Sequence, residues 1–584
     1  MNKAQKHVLS QRNLGPFKWA IGLVFMMFLP IEFLGQTLKD STDVTTEVVE
    51  VVKSYTPSVN LRLKAKWDFL DQNFQQRETP LFEYMHQNPV LTPSDLPPGW
   101  RPLKQVKEQT PKTLPNYFRA WLGTRSAAGL EGFVSRELDN KNYLNFLFDH
   151  QQINGAIQDV TLPPDWAESR VSAHWRSKLK RRSSVLELSY QRSALEWYGI
   201  PTNLNLDPSA SYDFGQTYHK TILGHQLGSN KGWFTGMNSE FSMFSDRLGV
   251  SEFKFSVAPK AEFNWNKRLI ALSGNVAYLN TTYDLSNTLI STENYSALNA
   301  DIKGQVDVNL DVLAINLGVQ LWAHNGSVDN TFRLFPNIEL SYPLFGPKLA
   351  AHMRFSGQYQ QNELSLLTDI QAFLAPGAPL APQIDQQILS FGFSGLFGDL
   401  WQYNLSAEFR NFENQAYITR RPWLGLQSSF AYDNGNSFVV NYDRGIEWSV
   451  AVKINGRLTD QWDIALHGRF VDNRPSDNAE PWNIPRISFG GSGTYHISEQ
   501  LLLTTQFLGY GSRKDQVIIG DQVIVQEVKG FIDAQVQLNY ALTKNFSASM
   551  SGINLLNQSN GLWFNYPVQG IRVNLGLQYN FGRF

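Results

Sequence analysis

The sequence predicts an all-β protein: a transmembrane antiparallel up-and-down β-barrel of about 22 strands, with 24 as the alternative count. Two observations support this. Apolar and polar residues alternate along many segments, and short turns alternate with longer polar loops along the chain. A period of two gives a strand one apolar and one polar face. In a membrane barrel the apolar face meets lipid and the polar face meets water.

The final strand is the most regular of these segments. Its apolar positions, every second residue, are Ile571, Val573, Leu575, Leu577, Tyr579 and Phe581. An open sheet edge in lipid would leave backbone N–H and C=O groups unpaired, so the last strand is expected to pair with the first. Phe584 is out of phase with Phe581. We therefore expect either a kink at Gly582–Arg583 or the end of the strand at Phe581.

Composition fits a wide barrel and excludes several functions. Aromatic residues make up 13% and charged residues 18% of the 584 residues, with 51 Lys and Arg against 52 Asp and Glu. A nucleic-acid partner is not expected, because the excess of positive charge that phosphates require is missing. The sequence contains no cysteine. This excludes disulfides, thiolate metal sites, a cysteine nucleophile and a lipoprotein anchor.

The first 35 residues have the pattern of an export signal. Basic residues precede an apolar run from Trp19 to Leu34, and cleavage is predicted at Gly35-Gln36. The alternative is a retained membrane helix, although Pro30 and Glu32 shorten the run below the roughly 20 residues that a spanning helix needs. Residues 1–35 are predicted to be a signal peptide, and the mature protein is expected in the bacterial outer membrane.

Residues 36–115 are predicted to be an extended, Pro-rich arm that serves as a partial plug or a periplasmic linker. A short β-like piece from Val44 to Val59 precedes a charged segment, and seven prolines follow within the 27 residues from Pro89 to Pro115. Proline fixes the backbone in extended conformations and removes a hydrogen-bond donor.

Residues 116–584 are predicted to form the barrel. Tight turns are expected near residues 139–140, 180–182, 228–230, 265–266, 309–311, 398–399, 456–459, 498–499 and 543–545. Longer loops are expected around residues 153–165, 198–211, 280–295, 362–386, 473–484, 512–523 and 556–567. Short turns on one side and long loops on the other are typical of barrels with both termini in the periplasm.

The segment Asn411–Gly445 leaves the strand count open. It can form one long outer loop, which gives 22 strands, or a loop and a hairpin that turns at Asp433-Asn434-Gly435. The long loop and 22 strands are the preferred prediction.

Four segments resemble outer-membrane proteins from Bacteroidota that are described as TonB-dependent-receptor-like barrels. They are Glu47–Val59, Asn116–Glu137, Glu196–Ile200 and Gly552–Phe581. The last is the most specific, because it resembles the final hairpin of TonB-dependent receptors. The resemblance implies a receptor-type barrel of about 22 strands and transport of a solute across the outer membrane, without a named substrate.

The chain departs from this family in its plug. TonB-dependent receptors carry a folded plug of well over a hundred residues inside the barrel, whereas only 80 residues, from Gln36 to Pro115, precede the first predicted strand. Barrels of this width have a filled lumen. The arm, the long loops or a partner is therefore expected to fill it.

One short run in the arm resembles the box with which receptors bind the energising protein TonB. It comprises Val48, Val49, Glu50, Val51 and Val52. An extended segment of this kind could add a strand to a partner sheet through main-chain hydrogen bonds. The alternative is a strand that pairs or packs locally. The partners expected are outer-membrane lipid and either a TonB-like energiser or a periplasmic or surface lipoprotein.

Charged residues in the polar phase of the strands are predicted to face the lumen. They are Glu187, Glu240, Asp301, Lys303, Asp307, His352, Arg354, Glu408, Arg410, His467 and Arg469. Such residues could line a solute path. The alternative is an internal network of salt bridges that holds a wide barrel in shape, and this alternative is preferred.

A basic cluster lies at a predicted periplasmic turn: Arg176, Lys178, Lys180, Arg181 and Arg182. It could contact anionic lipid headgroups. Alternatively, Arg176 and Lys178 face the lumen while the others cap the turn.

No enzyme is predicted, and neither a cofactor nor a metal is expected. We find no nucleophile–base set, because no serine lies in a nucleophile motif and no two histidines have metal-ligand spacing. Two functions remain. The first is a transporter or pore for a solute, and the second is a structural or accessory barrel subunit of an outer-membrane assembly or surface complex.

Overall fold

The structure, a computed structural model, describes residues 116–582 except 159, 201–212, 267, 285–292, 311, 399, 423–430, 460 and 520–521. The predicted signal peptide, the predicted arm and the box at Val48–Val52 lie outside the described residues.

The described residues form 24 strands, one α-helix and one 3-10 turn. The elements are β1 (Asn116–Gly123), β2 (Ala127–Asp139), β3 (Asn142–Ile153), β4 (Trp166–Lys178), β5 (Arg182–Glu196), β6 (Gly215–Ser229), β7 (Phe234–Asp246), β8 (Val250–Trp265), β9 (Arg268–Tyr283), β10 (Tyr295–Leu310), β11 (Leu313–Gly326), β12 (Asn330–Pro343), β13 (Ala350–Gln361), α1 (Leu364–Ile370), β14 (Pro382–Phe397), β15 (Trp401–Arg420), the 3-10 turn (Ala431–Asp433), β16 (Phe438–Thr459), β17 (Trp462–Pro475), β18 (Ile487–His496), β19 (Leu501–Tyr510), β20 (Arg513–Ile519), β21 (Gln522–Val528), β22 (Phe531–Ala541), β23 (Phe546–Ile553) and β24 (Arg572–Phe581). No helix in this part of the chain is both long enough and apolar enough to cross a membrane.

Twenty-two of the strands close into an antiparallel barrel. Each strand pairs with its neighbours in sequence, except that β19 pairs with β22, because β20 and β21 form a separate hairpin. The last strand pairs with the first in a continuous register from Asn116 opposite Phe581 to Gly123 opposite Asn574. The predicted fold class, the preferred count of 22 and the end of the last strand at Phe581 are confirmed.

The two faces of β24 show why the sequence alternates. Leu575 and Leu577 are 61% and 60% exposed on the outer surface, whereas Arg572 and Asn574, which precede them in the opposite phase, are only 3% and 2% exposed. An apolar outer surface and a polar inner wall are what a barrel surrounded by lipid requires. The short turns lie at the end of the barrel where β24 finishes. In outer-membrane barrels the short turns are on the periplasmic side, so we call this the periplasmic end.

Two details of the predicted loops are wrong. Three outer connections, those of β1–β2, β7–β8 and β11–β12, are as short as the periplasmic turns. Residues 411–445 are not one long loop, because β15 runs to Arg420 and β16 starts at Phe438. A β-bulge shifts the register of β15 between Phe412 and Gln415, where Asn414 has φ 53°. Bulges bend a strand without ending it, so the irregular pattern there is a bent strand.

Candidate functional site

Aromatic side chains from four outer loops meet in one cluster, which we call the aromatic junction. Trp197 and Tyr198 come from the β5–β6 loop, Phe373 from β13–β14, Tyr432 from β15–β16 and Tyr566 from β23–β24. All five are buried. The Trp197 and Tyr432 ring centroids are 6.1 Å apart, those of Tyr198 and Tyr566 5.0 Å, and the Phe373 and Tyr566 rings stack at 3.7 Å.

The position of these loops around the ring shows that the junction crosses the outer mouth. The β5–β6 and β15–β16 loops are ten strands apart in a ring of 22, which places them nearly opposite each other. They nevertheless touch: Asn436 Nδ2 donates a hydrogen bond to the carbonyl oxygen of Trp197 at 2.9 Å. Loops rooted in opposite walls can meet only by spanning the lumen.

Two tyrosine hydroxyls of the junction, those of Tyr198 and Tyr566, act as hydrogen-bond donors. Burial raises the pKa of Tyr198, and burial, followed by the nearby Tyr198, raises the pKa of Tyr566. Both groups therefore stay protonated. Tyr198 donates to the carbonyl oxygen of Pro567 at 2.9 Å, and Tyr566 donates to that of Asn436. The junction thus fastens loop backbones as well as packing apolar rings.

A second fastening, which we call the latch, joins helix α1 to the inner wall. Glu252 on β8 accepts hydrogen bonds from the backbone N–H groups of Leu364 at 2.8 Å and Ser365 at 3.1 Å. Lys254, two residues along the same strand, pairs with Glu363 at 2.9 Å. The first N–H groups of a helix have no partner inside the helix, and no side-chain cap is provided by Glu363 itself. A carboxylate from the wall supplies that cap.

The rest of the β13–β14 loop, residues 362–381, is held by tyrosines and a lysine of the wall. Tyr218 donates to the carbonyl oxygen of Ala372 at 2.9 Å, and Tyr283 donates to that of Ala378 at 2.6 Å. Lys220 lies 3.5 Å from Asp369. A loop rooted between β13 and β14 therefore lies against β6 to β9, on a distant part of the ring.

A cavity of about 510 Å³, lined by both polar and apolar side chains, lies beside the start of helix α1. Its walls include Lys220, Lys254, Asn275 and Tyr359, and Glu363 and Ser365 form its roof. Lys254 and Glu363 belong both to the latch and to the lining of the cavity, so the latch closes one side of it. Its volume is in the range of small-molecule sites.

Two of the predicted lumen residues belong to one buried charge network. Arg410 pairs with Asp385 and Glu447, both at 2.9 Å, and Arg469 pairs with the same Glu447 at 3.0 Å. Asn473 donates a further bond to Glu447 at 2.9 Å. The network connects β14, β15, β16 and β17, so here the side chains tie wall strands to one another.

The other predicted residues are spread around the barrel. Glu240 lies 3.1 Å from Lys254 beside the latch, and Asp301 accepts a hydrogen bond from Tyr359 at 2.7 Å at the cavity. Glu187 lies 3.9 Å from His174. The remaining positions are Lys303 and Asp307 on β10, His352 and Arg354 on β13, Glu408 on β15 and His467 on β17. A solute path along these residues stays a prediction.

The latch was missed by the sequence reasoning. Glu252 and Lys254 occupy the polar phase of β8, opposite to the exposed Phe253 and Phe255. Their position on the inner wall could therefore be predicted from the sequence. Their partners lie more than a hundred residues away in a loop, and no local pattern reports such a contact. Among the described residues, no group of three or more His, Cys, Asp or Glu is arranged to hold a metal ion.

Comparison with known proteins shows the fold. No protein-family model matches the sequence, and no curated protein matches it either. Among solved structures, the siderophore receptor PirA from Acinetobacter baumannii is similar with a TM-score of 0.61 at 10% identity, covering 80% of each chain. The copper transporter OprC has a TM-score of 0.59 at 11% identity, covering 80% of this chain and 81% of its own.

A third similar structure is the ferripyoverdine receptor of the outer membrane of Pseudomonas aeruginosa. Its TM-score is 0.58 at 11% identity, and the match covers 80% of this chain and 72% of the receptor. Identities this low establish the fold alone. That fold is the closed 22-stranded barrel found in outer-membrane receptors.

Proposed function

We propose that this protein carries a solute across the outer membrane through a barrel whose outer mouth is closed at rest. The observation that carries the proposal is the position of the β13–β14 loop: it reaches across the mouth to β6–β9 and is fastened beside a cavity by the latch. The loop contains no strand of the barrel's sheet and joins the wall backbone through one isolated bridge, between Leu374 and Phe438. It can therefore move away without breaking the wall.

The energy source that we propose is a TonB-like partner in the periplasm. The run Val48–Val52 has the composition of a segment that adds a strand to another sheet. The 80 residues from Gln36 to Pro115 would then be a short arm in place of a full plug. Pulling on such an arm is a means of coupling a periplasmic partner to the lumen.

Export to the outer membrane is part of the same proposal. The signal-like start supports cleavage near Gly35, and the apolar outer surface supports insertion in a bilayer. Sequencing the N-terminus of the protein recovered from isolated outer membranes tests this. Recovery from the inner membrane with residues 1–35 retained would contradict it.

Cross-linking the latch tests gated passage. The sequence has no cysteine, so Lys254→Cys with Glu363→Cys can be joined specifically by a short bis-maleimide linker. The matched control is Ser273→Cys with Lys303→Cys, direct partners on β9 and β10, which joins two wall strands and leaves the loop free.

We expect the unlinked latch pair to sensitise cells to a large antibiotic and to show opening events in planar bilayers, because the ion pair is lost. Linking should suppress both effects, and linking the control pair should change neither. Equal behaviour of the latch pair before and after linking would show that the loop does not gate the lumen.

A second function, a structural or accessory barrel of a surface or assembly complex, is favoured by the packing of the aromatic junction. Trp197 is fully buried and Tyr432 is 1% exposed, which resembles a permanent core. A pull-down from detergent-solubilised outer membranes separates the two functions. A stable stoichiometric partner, together with no effect of linking the latch, would establish the accessory role.

A further inference from the structure

Five exposed cations gather at the periplasmic ends of β4 to β7, and we call them the rim patch. They are Lys178, Lys180, Arg181, Arg182 and Lys231. The β4–β5 and β6–β7 turns are joined by a backbone hydrogen bond from Asn230 to the carbonyl oxygen of Arg181 at 3.2 Å. The cations of the two turns are therefore neighbours along the rim.

No ion pair or hydrogen bond of these five charged side chains is found within the described residues. Two cations of other periplasmic turns, by contrast, have an acidic neighbour. Arg457 lies 3.3 Å from Asp463 at the β16–β17 turn, and Lys141 shares the β2–β3 turn with Asp139. Uncompensated like charges repel one another, so this part of the rim is suited to an anionic surface.

Exposed apolar side chains lie within the rim patch. Leu179 is 57% exposed in the β4–β5 turn, and Trp233, two residues after Lys231, is 69% exposed. Tryptophan is enriched at the level of lipid headgroups, because its ring is amphipathic. Cations beside exposed apolar side chains match a phospholipid, whose phosphate adjoins its acyl chains. A free phosphate ion would use the cations alone.

We propose that the rim patch binds anionic phospholipid headgroups in the periplasmic leaflet of the outer membrane. The four cations of the two turns bind the phosphate, while Leu179 and Trp233 enter the acyl boundary; Lys178 at the end of β4 has the inward phase of Ser172. The patch would fix the tilt and rotation of the barrel on the β4–β7 side. The proposal requires that the short turns face the periplasm, and it is independent of solute passage.

The test uses the full-length protein in vesicles of phosphatidylcholine mixed with labelled phosphatidylglycerol, and it measures how strongly the labelled lipid is enriched around the barrel. Lys180→Gln with Arg181→Gln and Arg182→Gln should reduce the enrichment at least about tenfold, since each charge near an anionic surface contributes strongly. High salt should do the same, because the Debye length at 1 M is only about 3 Å. The matched control, Arg457→Gln with Lys544→Gln, changes two cations in other periplasmic turns and should leave the enrichment unchanged.

A milder variant, Lys180→Gln with Lys231→Gln, covers the case in which the triple variant does not fold, and it should lose part of the enrichment. Trp233→Ala should also weaken it.

Unchanged enrichment in the charge variants would overturn the proposal. Full displacement of the lipid by inorganic phosphate would assign the patch to a free anion. Loss of a co-purified acidic protein from the triple variant, with lipid enrichment intact, would assign it to a protein partner. Either result would overturn the lipid assignment.

Discussion

Arg410 holds the inner wall together through charge. Its guanidinium joins Asp385 and Glu447 at 2.9 Å each, and all three residues are buried. Removing one member of a buried ion pair leaves the other charge without compensation, which costs far more than an exposed pair contributes. A buried pair and an exposed pair of this protein can therefore be compared in one experiment.

Arg410→Ala should lower the free energy of unfolding by about 3–5 kcal/mol, because Asp385 and Glu447 would stay buried without a partner. The matched control is Arg457→Ala, whose pair with Asp463 is half exposed and should contribute about 0–1 kcal/mol. Urea unfolding in detergent or lipid measures both. Equal losses for the two variants would show that the network is not a structural tie.

A second prediction concerns which face of β24 meets lipid. Leu577→Arg should cost about 2–4 kcal/mol, since it places a charge on the lipid side near the bilayer midplane, whereas Gln578→Arg on the opposite face should cost little. The exposure of Leu577 on the outer surface supports this assignment. Folding yields into vesicles compare the two, and similar yields would mean that the assigned faces are reversed.

Helix α1 is capped by a side chain from another element, the carboxylate of Glu252 on β8. Glu252→Ala should free the amides of Leu364 and Ser365. Loss of a helix cap costs roughly 1 kcal/mol, so hydrogen exchange over residues 364–371 should become about fivefold to tenfold faster, while barrel unfolding changes little. Glu262→Ala, on the same strand near its periplasmic end, is the control. Unchanged exchange would contradict the capping role.

Strands were predictable because their signal is local. The period of two that marks the segment from Ile571 to Phe581 needs only neighbouring residues, and the strand forms with that phase. The bulge at Asn414 was not predicted, because one inserted residue reverses the alternation and imitates a loop. The β20–β21 hairpin lies where the sequence predicts a loop around residues 512–523, and its two strands of seven residues each stand outside the barrel sheet.

The contacts between loops across the mouth could not be predicted from sequence at the scale of the whole molecule. The contact of Trp197 with Tyr432 joins residues that are distant along the chain and nearly opposite around the ring. Loop length and polarity indicate where the chain leaves the sheet. They do not indicate which part of the ring the loop contacts. The count of 22 strands was accessible because turns and loops alternate along the chain and because the resemblance implies a barrel of about that size.

Conductance in planar bilayers tests most directly whether the loops close this barrel. One variant lacks residues 44–111, a second has residues 363–380 replaced by a short Gly-Ser linker, and a third carries both changes. We predict that the variant without residues 44–111 conducts little, because the β13–β14 loop still crosses the mouth, and that the double variant conducts in large, stable steps. If deletion of residues 44–111 alone opens the barrel to the level of the double variant, the loops do not close the mouth.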